Sequence, residues 1–233
     1  MIRRLLIALS LADALADIDQ AIALSPEHLS WYQLTIEPNT AFYSAPPVLP
    51  EEDILVDIQD AGFARLAEAG YEQYEVSAYA RNKNQARHNL NYWQFGDYLG
   101  IGAGAHGKIT DVDQKRIFRL WKTRLPQHYL AAASSQKIST NLQGHQNLFG
   151  AGSDLLLLDN LPLEFMMNAL RLNDGVPSEY FVERTGLALT EIEPQWRQLI
   201  DKNLVEPDVR VIKPTELGRR FLNRALEIFM DDE

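Results

Sequence analysis

The first half of the chain alternates between segments with helical and with strand-like hydrophobic patterns. Residues 11–23 carry apolar side chains at helical spacing with acids on the other face, which predicts an amphipathic helix. Residues 28–36 predict a buried strand, residues 51–69 predict a long helix, and residues 71–79 alternate like a strand. This succession of helix, strand, helix and strand is typical of parallel β/α units.

After residue 107 the pattern changes to a hairpin. Residues 108–122 predict two strands that turn near residues 111–114, and residues 126–133 predict a short helix. The polar, glycine-containing residues 135–152 predict an exposed linker. We therefore expect a domain boundary in this linker.

Beyond the linker the chain is predicted to be mainly helical. The predicted elements are helices over 154–172, 178–185 and 190–202, a small hairpin of 204–205 with 209–212, and a final helix over 215–230. Helices followed by a small β-wing and a final helix resemble a winged-helix module. The predicted organisation is a first domain at 1–134, a linker at 135–152 and a helical domain at 153–233.

The composition is that of a soluble globular protein, with 46% hydrophobic and 23% charged residues among 233. No apolar run approaches the roughly 20 residues that a bilayer span needs. Residues 1–9 resemble a signal peptide at first, but their apolar part is too short and the pattern runs on as a helix. The sequence therefore predicts a cytoplasmic protein.

The net charge and the cysteine content count against one class of partner and several kinds of site. The net charge of −10 disfavours a nucleic-acid partner, because phosphate binding needs a basic surface. The chain has no cysteine, which excludes a disulfide framework, a thiolate-held iron–sulfur cluster and a cysteine-ligated zinc within it.

Candidate chemistry is concentrated in residues 88–107, HNLNYWQFGDYLGIGAGAHG. If the first residues are helical, His88 and Tyr92 share one face, while Asn89 and Trp93 share the neighbouring one. An imidazole can ligate iron, and Tyr and Trp offer flat apolar area with a polar edge. The alternative is a core histidine with a capping Asn, and His106 has the same two interpretations.

The glycines at the end of this segment match the G-x-G-x-x-G pattern of dinucleotide-binding turns. The match is weak, because a strand-like segment follows where a phosphate-binding helix would be needed. Residues 98–103 are instead predicted as a buried strand whose glycines permit close approach. A nucleotide site is therefore not expected here.

Other polar residues are weaker candidates. Glu37 and Glu75 follow predicted strands, where parallel β/α folds place their functional face. A small basic cluster indicates either a solvated hairpin edge or a site for ligand carboxylates; it consists of Arg119, Lys122 and Arg124. The remaining histidines are predicted to be structural or exposed; they are His28, His128 and His145.

Four segments together resemble the HemW-type haem chaperones, relatives of oxygen-independent coproporphyrinogen III oxidase in the radical S-adenosylmethionine superfamily. The segments are SWYQLTIEPNT at 30–40, AGYEQYEVSAYA at 69–80, HNLNYWQFGDYLGIGAGAHG at 88–107 and LPLEFMMNALRL at 161–172. The H-N-x-x-Y-W signature within the third segment separates HemW-type members from the true oxidases. The resemblance covers the chain from about residue 11 onward.

This resemblance implies an α/β fold: the C-terminal part of a partial (β/α) TIM-like barrel, followed by a small helical, winged-helix-like domain. It implies that His88, Asn89, Tyr92 and Trp93 form a haem-associated signature. By position, Gln33 and His106 are expected to face the S-adenosylmethionine side of the barrel. The full-length family also binds a [4Fe-4S] cluster, whose cysteine ligands this chain lacks.

The implied function is that of part of a haem chaperone, which binds haem and delivers it to respiratory proteins. The alternative is an enzyme of porphyrin biosynthesis that resembles coproporphyrinogen III oxidase. The resemblance places the start of the chain near the family's fifth or sixth barrel unit, so we expect a truncation, a wrong start or a frameshift. An open barrel edge favours a homodimer; peripheral membrane association is left open.

Overall fold

The structure, a computed structural model, describes residues 2–6, 10–134, 139–140, 146–147 and 150–230. The chain forms two compact units, Met1–Arg87 and His88–Glu233. The boundary between the two units therefore falls directly before the candidate segment 88–107 and not in the predicted linker at 135–152. Of that linker, residues 135–138, 141–145 and 148–149 lie outside the described residues, and the three-part organisation stays a prediction.

The first unit is a four-stranded sheet with helices packed on one face. Its elements are β1 (Ile2–Leu6), α1 (Leu11–Ala23), β2 (His28–Gln33), α2 (Ala41–Ser44), α3 (Glu52–Glu68), β3 (Glu72–Glu75) and β4 (Ala78–Ala80). The strand order is β1-β2-β4-β3, with β1 parallel to β2 and the other pairs antiparallel. The predicted helices and the strand β2 are confirmed, and β1, α1 and β2 form one β/α/β unit.

Two predictions for this unit are wrong. Residues 2–6 are a strand and not the start of a helix, because they pair in register with β2, Ile2 opposite Leu29. Residues 71–79 do not form one strand, because the chain turns back after Glu75 and β4 pairs antiparallel with β3. A turn of two residues is too short to show as a break in an alternating pattern.

The core of the first unit lies between the sheet and the helices α1 and α3. The Ser10 hydroxyl accepts a hydrogen bond from the Asp13 amide and caps α1, whose apolar face is then buried. Leu29 and Tyr79 meet that face from opposite strands. The indole of Trp31 packs closely against Gly62 of α3, where a Cβ atom would come within 2.1 Å of Cη2.

The second unit joins a three-stranded sheet to a helical region. Its elements are α4 (Arg87–Trp93), β5 (His106–Asp111), β6 (Arg116–Lys122), α5 (Pro126–Ser134), β7 (Ser139–Thr140), β8 (Gln146–Asn147), β9 (Gly150–Leu155), α6 (Leu161–Ala169), β10 (Val176–Pro177), α7 (Glu179–Thr185), α8 (Glu193–Asp201), β11 (Val211–Ile212), α9 (Glu216–Arg220) and α10 (Leu222–Glu227). Short 3-10 turns at Leu158–Asn160 and Leu189–Ile192 precede α6 and α8. The predicted hairpin of β5 and β6 is confirmed.

The three-stranded sheet of this unit includes residues that were predicted from the sequence to belong to a linker or a helix. Strand β9 pairs antiparallel with β6, so Gly150 belongs to the sheet and not to a linker, and the first helix beyond it begins only at Leu161. The predicted small hairpin is also wrong in its pairing. Ile212 pairs with Val176, and Val205 forms an isolated bridge with Pro214. Such pairings join distant residues, which a local pattern does not reveal.

The core of the helical region is aromatic and aliphatic. Phe165 of α6 is fully buried between Phe95 and Phe181, with ring centroids 5.6 Å and 5.3 Å away. Among the described residues, no helix is both long and apolar enough to cross a membrane.

Candidate functional site

The helix α4 ends in a tight turn that leads into the hairpin. The amide of Phe95 donates to the carbonyl of Tyr92 at 2.9 Å, and the amide of Gly96 donates to that of Asn91 at 2.7 Å. Phe95 adopts a positive φ of 60° and its ring is buried, so packing holds a backbone conformation that such residues rarely adopt. The turn places Tyr98 beside β5.

The glycine-rich segment that follows is a turn and not the predicted buried strand over 98–103. Tyr98 and Lys108 exchange two backbone hydrogen bonds of 2.9 and 3.0 Å, and the chain then folds back over the start of β5. The side chains of Leu99 and Ile101 are 77% and 88% exposed. Gly102 has a φ of 107°, which ends extended structure.

This fold-back creates a cleft of about 580 Å³ between α4, the glycine-rich segment, the hairpin and α6. Its volume lies within the range of ligand sites, roughly 300 to 1,000 Å³. The residues that line it are mostly aromatic, apolar or basic: Tyr92, Trp93, Phe95, Gly96, Tyr98, Leu99, Gly100, Ile101, Ala105, His106, Lys108, Arg119 and Asn168.

Three of the predicted site residues meet in this cleft. Tyr92, Trp93 and His106 line it, although His106 is 13 or more positions away along the chain. His88 lies one helical turn before Tyr92, its ring edge-on to the tyrosine at a centroid distance of 6.1 Å. Its side chain is exposed, which excludes a core histidine, whereas Asn89 is buried at 8% exposure.

Gln33 lies elsewhere, at the end of β2 in the first unit. It lines a smaller cleft of about 150 Å³ together with Trp31 and Tyr32. By strand alternation Gln33 shares the face of Trp31, which packs on the helices. Among the described residues the Trp31 indole N–H and the Tyr79 hydroxyl find no hydrogen-bond partner, and burial raises the pKa of Tyr79.

The aromatic wall of the larger cleft is held by ring contacts. The rings of Tyr92 and Tyr98 meet edge to face at 4.5 Å, and the guanidinium of Arg171 lies 4.2 Å from the ring centre of Trp93. The indole N–H of Trp93 is buried without a hydrogen-bond partner among the described residues. These contacts fix the orientation of the tyrosine rings and the indole.

A buried ion pair supports the floor of the cleft. Lys108 Nζ lies 2.8 Å from Asp97 Oδ1 and 4.3 Å from the ring centre of Phe95. Burial lowers the pKa of Lys108, and Asp97 opposes this shift. Burial alone would raise the pKa of Asp97, but hydrogen bonds from Lys108 and Thr110 outweigh it, and the pKa is lowered.

A second ion pair lies on the rim. Arg119 Nη2 of β6 donates to Glu164 Oε2 of α6, and the two side chains are 40% and 22% exposed. Burial raises the pKa of the neighbouring Tyr98, which Arg119 opposes. Of the three basic residues of the predicted cluster, Arg119 alone lines the cleft, while Lys122 and Arg124 do not.

The other candidates take structural or surface positions. Glu75 is buried at 1% exposure, and Glu37 is exposed in the loop after β2. His28 Nε2 lies 2.8 Å from the buried Tyr74 hydroxyl, and His128 is exposed, as expected for both; His145 lies outside the described residues. No group of three or more His, Cys, Asp or Glu side chains suited to a metal occurs within the described ranges.

The sequence did not single out Tyr98, Lys108 or Glu164 as cleft residues. Lys108 gave no signal, because the residues of β5, HGKITD, are mostly polar and do not indicate that this lysine is buried. Glu164 gave no signal, because it is 45 residues from Arg119 along the chain.

Comparison with known proteins matches residues 156–221 to the HemN C-terminal domain. The chain is 47% identical to the heme chaperone HemW of Escherichia coli (strain K12) over 221 residues, which are 95% of this chain and 54% of that protein. It is 44% identical to HemW of Haemophilus influenzae over 96% of the chain and 54% of that protein. The chain therefore spans about half the length of these curated relatives.

A solved structure supports the same fold. The chain is similar to coproporphyrinogen III oxidase (HemN) from Escherichia coli, a radical SAM enzyme, with a TM-score of 0.65. The likeness covers 94% of this chain and 51% of that structure at 17% identity, so it bears on the fold. The predicted α/β fold class is confirmed. Together, the domain match and the two close relatives show that this chain matches the HemW family, over about half the length of its members.

Proposed function

We propose that this chain contributes the haem-binding cleft of a HemW-type haem chaperone. The observation that carries the proposal is the cleft of the second unit, where Tyr92 and Trp93 of the signature meet Tyr98 and His106. Its relatives at 44–47% identity are named heme chaperones. A chaperone delivers its cargo, so we include haem-receiving respiratory proteins as partners in the proposal.

The chemistry of the lining suits haem. A porphyrin is flat, apolar on its faces and acidic at one edge, and the cleft offers aromatic rings, exposed apolar side chains and basic groups. His88 and His106 are both exposed, and an imidazole nitrogen is a common ligand of haem iron. Asn89 is the residue of the signature helix α4 that is buried.

The radical S-adenosylmethionine chemistry of the family is a separate matter. That Gln33 and His106 face S-adenosylmethionine, as the resemblance implies, stays a prediction, and this chain has no cysteine to bind the [4Fe-4S] cluster. A cytoplasmic location and dimerisation belong to the same proposal. Size-exclusion chromatography tests dimerisation, and a clean monomer would contradict it.

Haem titration of this chain, followed at the Soret band, tests the proposal. We expect a saturable Soret shift when haem is added. In His88→Ala we expect weaker haem binding and a Soret band at a different wavelength, because an iron ligand is lost. His128→Ala is the matched control, since His128 is an exposed histidine on α5 that belongs neither to the signature helix α4 nor to the lining of the cleft. No Soret shift, or a shift unchanged in both His88→Ala and His106→Ala, would refute haem ligation here.

The fold shared with a coproporphyrinogen oxidase favours one second candidate, an enzyme of porphyrin biosynthesis. That candidate requires reductive cleavage of S-adenosylmethionine. It is tested by incubating the chain with S-adenosylmethionine and reductant without oxygen and measuring 5′-deoxyadenosine. Absence of this product would exclude the activity for this chain.

A further inference from the structure

We propose that Arg119 binds a carboxylate of the cleft ligand, and that Glu164 holds the arginine in place until the ligand displaces it. The inference rests on the proposed function, because it assigns the acidic edge of the porphyrin to one rim of the same cleft. It makes Arg119 a residue that selects porphyrins with free propionates.

The choice of Arg119 follows from its position among the basic residues of the cleft. Lys108 is 4% exposed and already donates to Asp97, so moving its ammonium to a ligand would break a buried ion pair. Arg119 pairs with Lys108 across the hairpin and thus points to the same face of the sheet, but its side chain is 40% exposed. A ligand in the cleft can therefore reach Arg119 and not Lys108.

The hydrogen bonds of Arg119 leave room for a second acid. A guanidinium has five N–H groups, and among the described residues Arg119 uses Nη2 for Glu164. Its Nε is buried and has no hydrogen-bond partner there. Since Nε is buried, a ligand carboxylate reaches the guanidinium at its outer nitrogens, of which Nη2 now holds Glu164.

Glu164 is suited to be displaced. It is 22% exposed, it belongs to α6 and not to the hairpin, and its side chain makes one ion pair in the described structure. The pair is partly exposed and joins two separate elements, so a ligand carboxylate that reaches Arg119 can take the place of Glu164. The Arg119 guanidinium is thus paired with a carboxylate both without the ligand and with it.

The test compares haem with its dimethyl ester, in which both carboxylates are uncharged, by measuring the affinity of each for the full chain. Because charged hydrogen bonds are stronger than neutral ones, we expect haem to bind about tenfold more tightly than the ester. In Arg119→Gln the preference should fall to near one, through weaker binding of haem alone. Arg116→Gln, on the same strand but outside the cleft, should keep the wild-type preference.

Glu164→Gln gives an independent test with the opposite sign. Removing the competing carboxylate should raise the affinity for haem several-fold and leave that for the ester unchanged. Thermal unfolding of each variant establishes that it folds, and Glu164→Gln decides the matter if Arg119→Gln does not.

The two proposals fail in different ways. Equal affinity of wild type for haem and ester, or an unchanged preference in Arg119→Gln, would overturn the role of Arg119 and leave the haem site standing. Binding of neither porphyrin would overturn both.

Discussion

The buried pair of Lys108 and Asp97 should respond very unequally to removal of its two members. Lys108 is 4% exposed and Asp97 44%, so the ammonium depends on its partner far more than the carboxylate does. In Lys108→Met an uncharged side chain takes the place of the ammonium over Phe95, and Asp97 keeps bonds of 2.7 and 2.9 Å from Thr110. In Asp97→Asn the lysine charge stays buried without an opposite charge.

These geometries give a magnitude for each variant. Removing one member of a buried pair costs about 3 kcal/mol or more when a charge is left uncompensated, which is the case for Asp97→Asn. Lys108→Met should cost about 1 kcal/mol or less, because a side chain of similar volume replaces the charge. The double variant should resemble Lys108→Met, since no charge then remains without a partner, and the coupling energy should therefore equal the cost of Asp97→Asn, about 3 kcal/mol.

Equilibrium urea unfolding, followed by tryptophan fluorescence and far-ultraviolet circular dichroism, measures all three variants against wild type. The second unit contains Trp93, Trp121 and Trp196, which report on it directly. If Lys108→Met destabilised the protein as much as Asp97→Asn, burial of the ammonium would not be the dominant cost, and the reasoning would be refuted.

Three further predictions concern close contacts and pH. Gly100→Ala would place a Cβ atom 2.0 Å from the carbonyl oxygen of His106, so we expect a loss of about 2 kcal/mol in urea unfolding and weaker haem binding; wild-type stability would contradict this. Gly62→Ala would drive a methyl group into Trp31 and should lower the thermal midpoint without changing haem affinity, because the two residues belong to the first unit. The pKa of Asp97 is lowered in the folded state, so its contribution is present above the unfolded pKa and is lost as the pH falls through the folded pKa. The free energy of unfolding should therefore fall as the pH drops below the ordinary titration range of aspartate in wild type, and the fall should be smaller in Asp97→Asn.

Local hydrophobic patterns were sufficient for α1, α3, β2 and the hairpin of β5 and β6, because each element buries a face that its own residues encode. They failed where neighbours in space override the local pattern. Residues 154–160 continue the apolar pattern of α6, yet residues 154 and 155 pair with β6. Residues 98–103 look like a buried strand, yet the chain needs them to fold back over β5.

For the candidate site, helical spacing alone predicted that His88 and Tyr92 share one face of α4 and that Trp93 lies on the neighbouring face. What these side chains contact depends on how distant segments pack against α4. The hairpin brings His106 and Arg119 to it, and α6 supplies Glu164 from 45 residues beyond Arg119. A contact between distant segments is fixed by the packing of whole elements, and no periodicity along the chain records it.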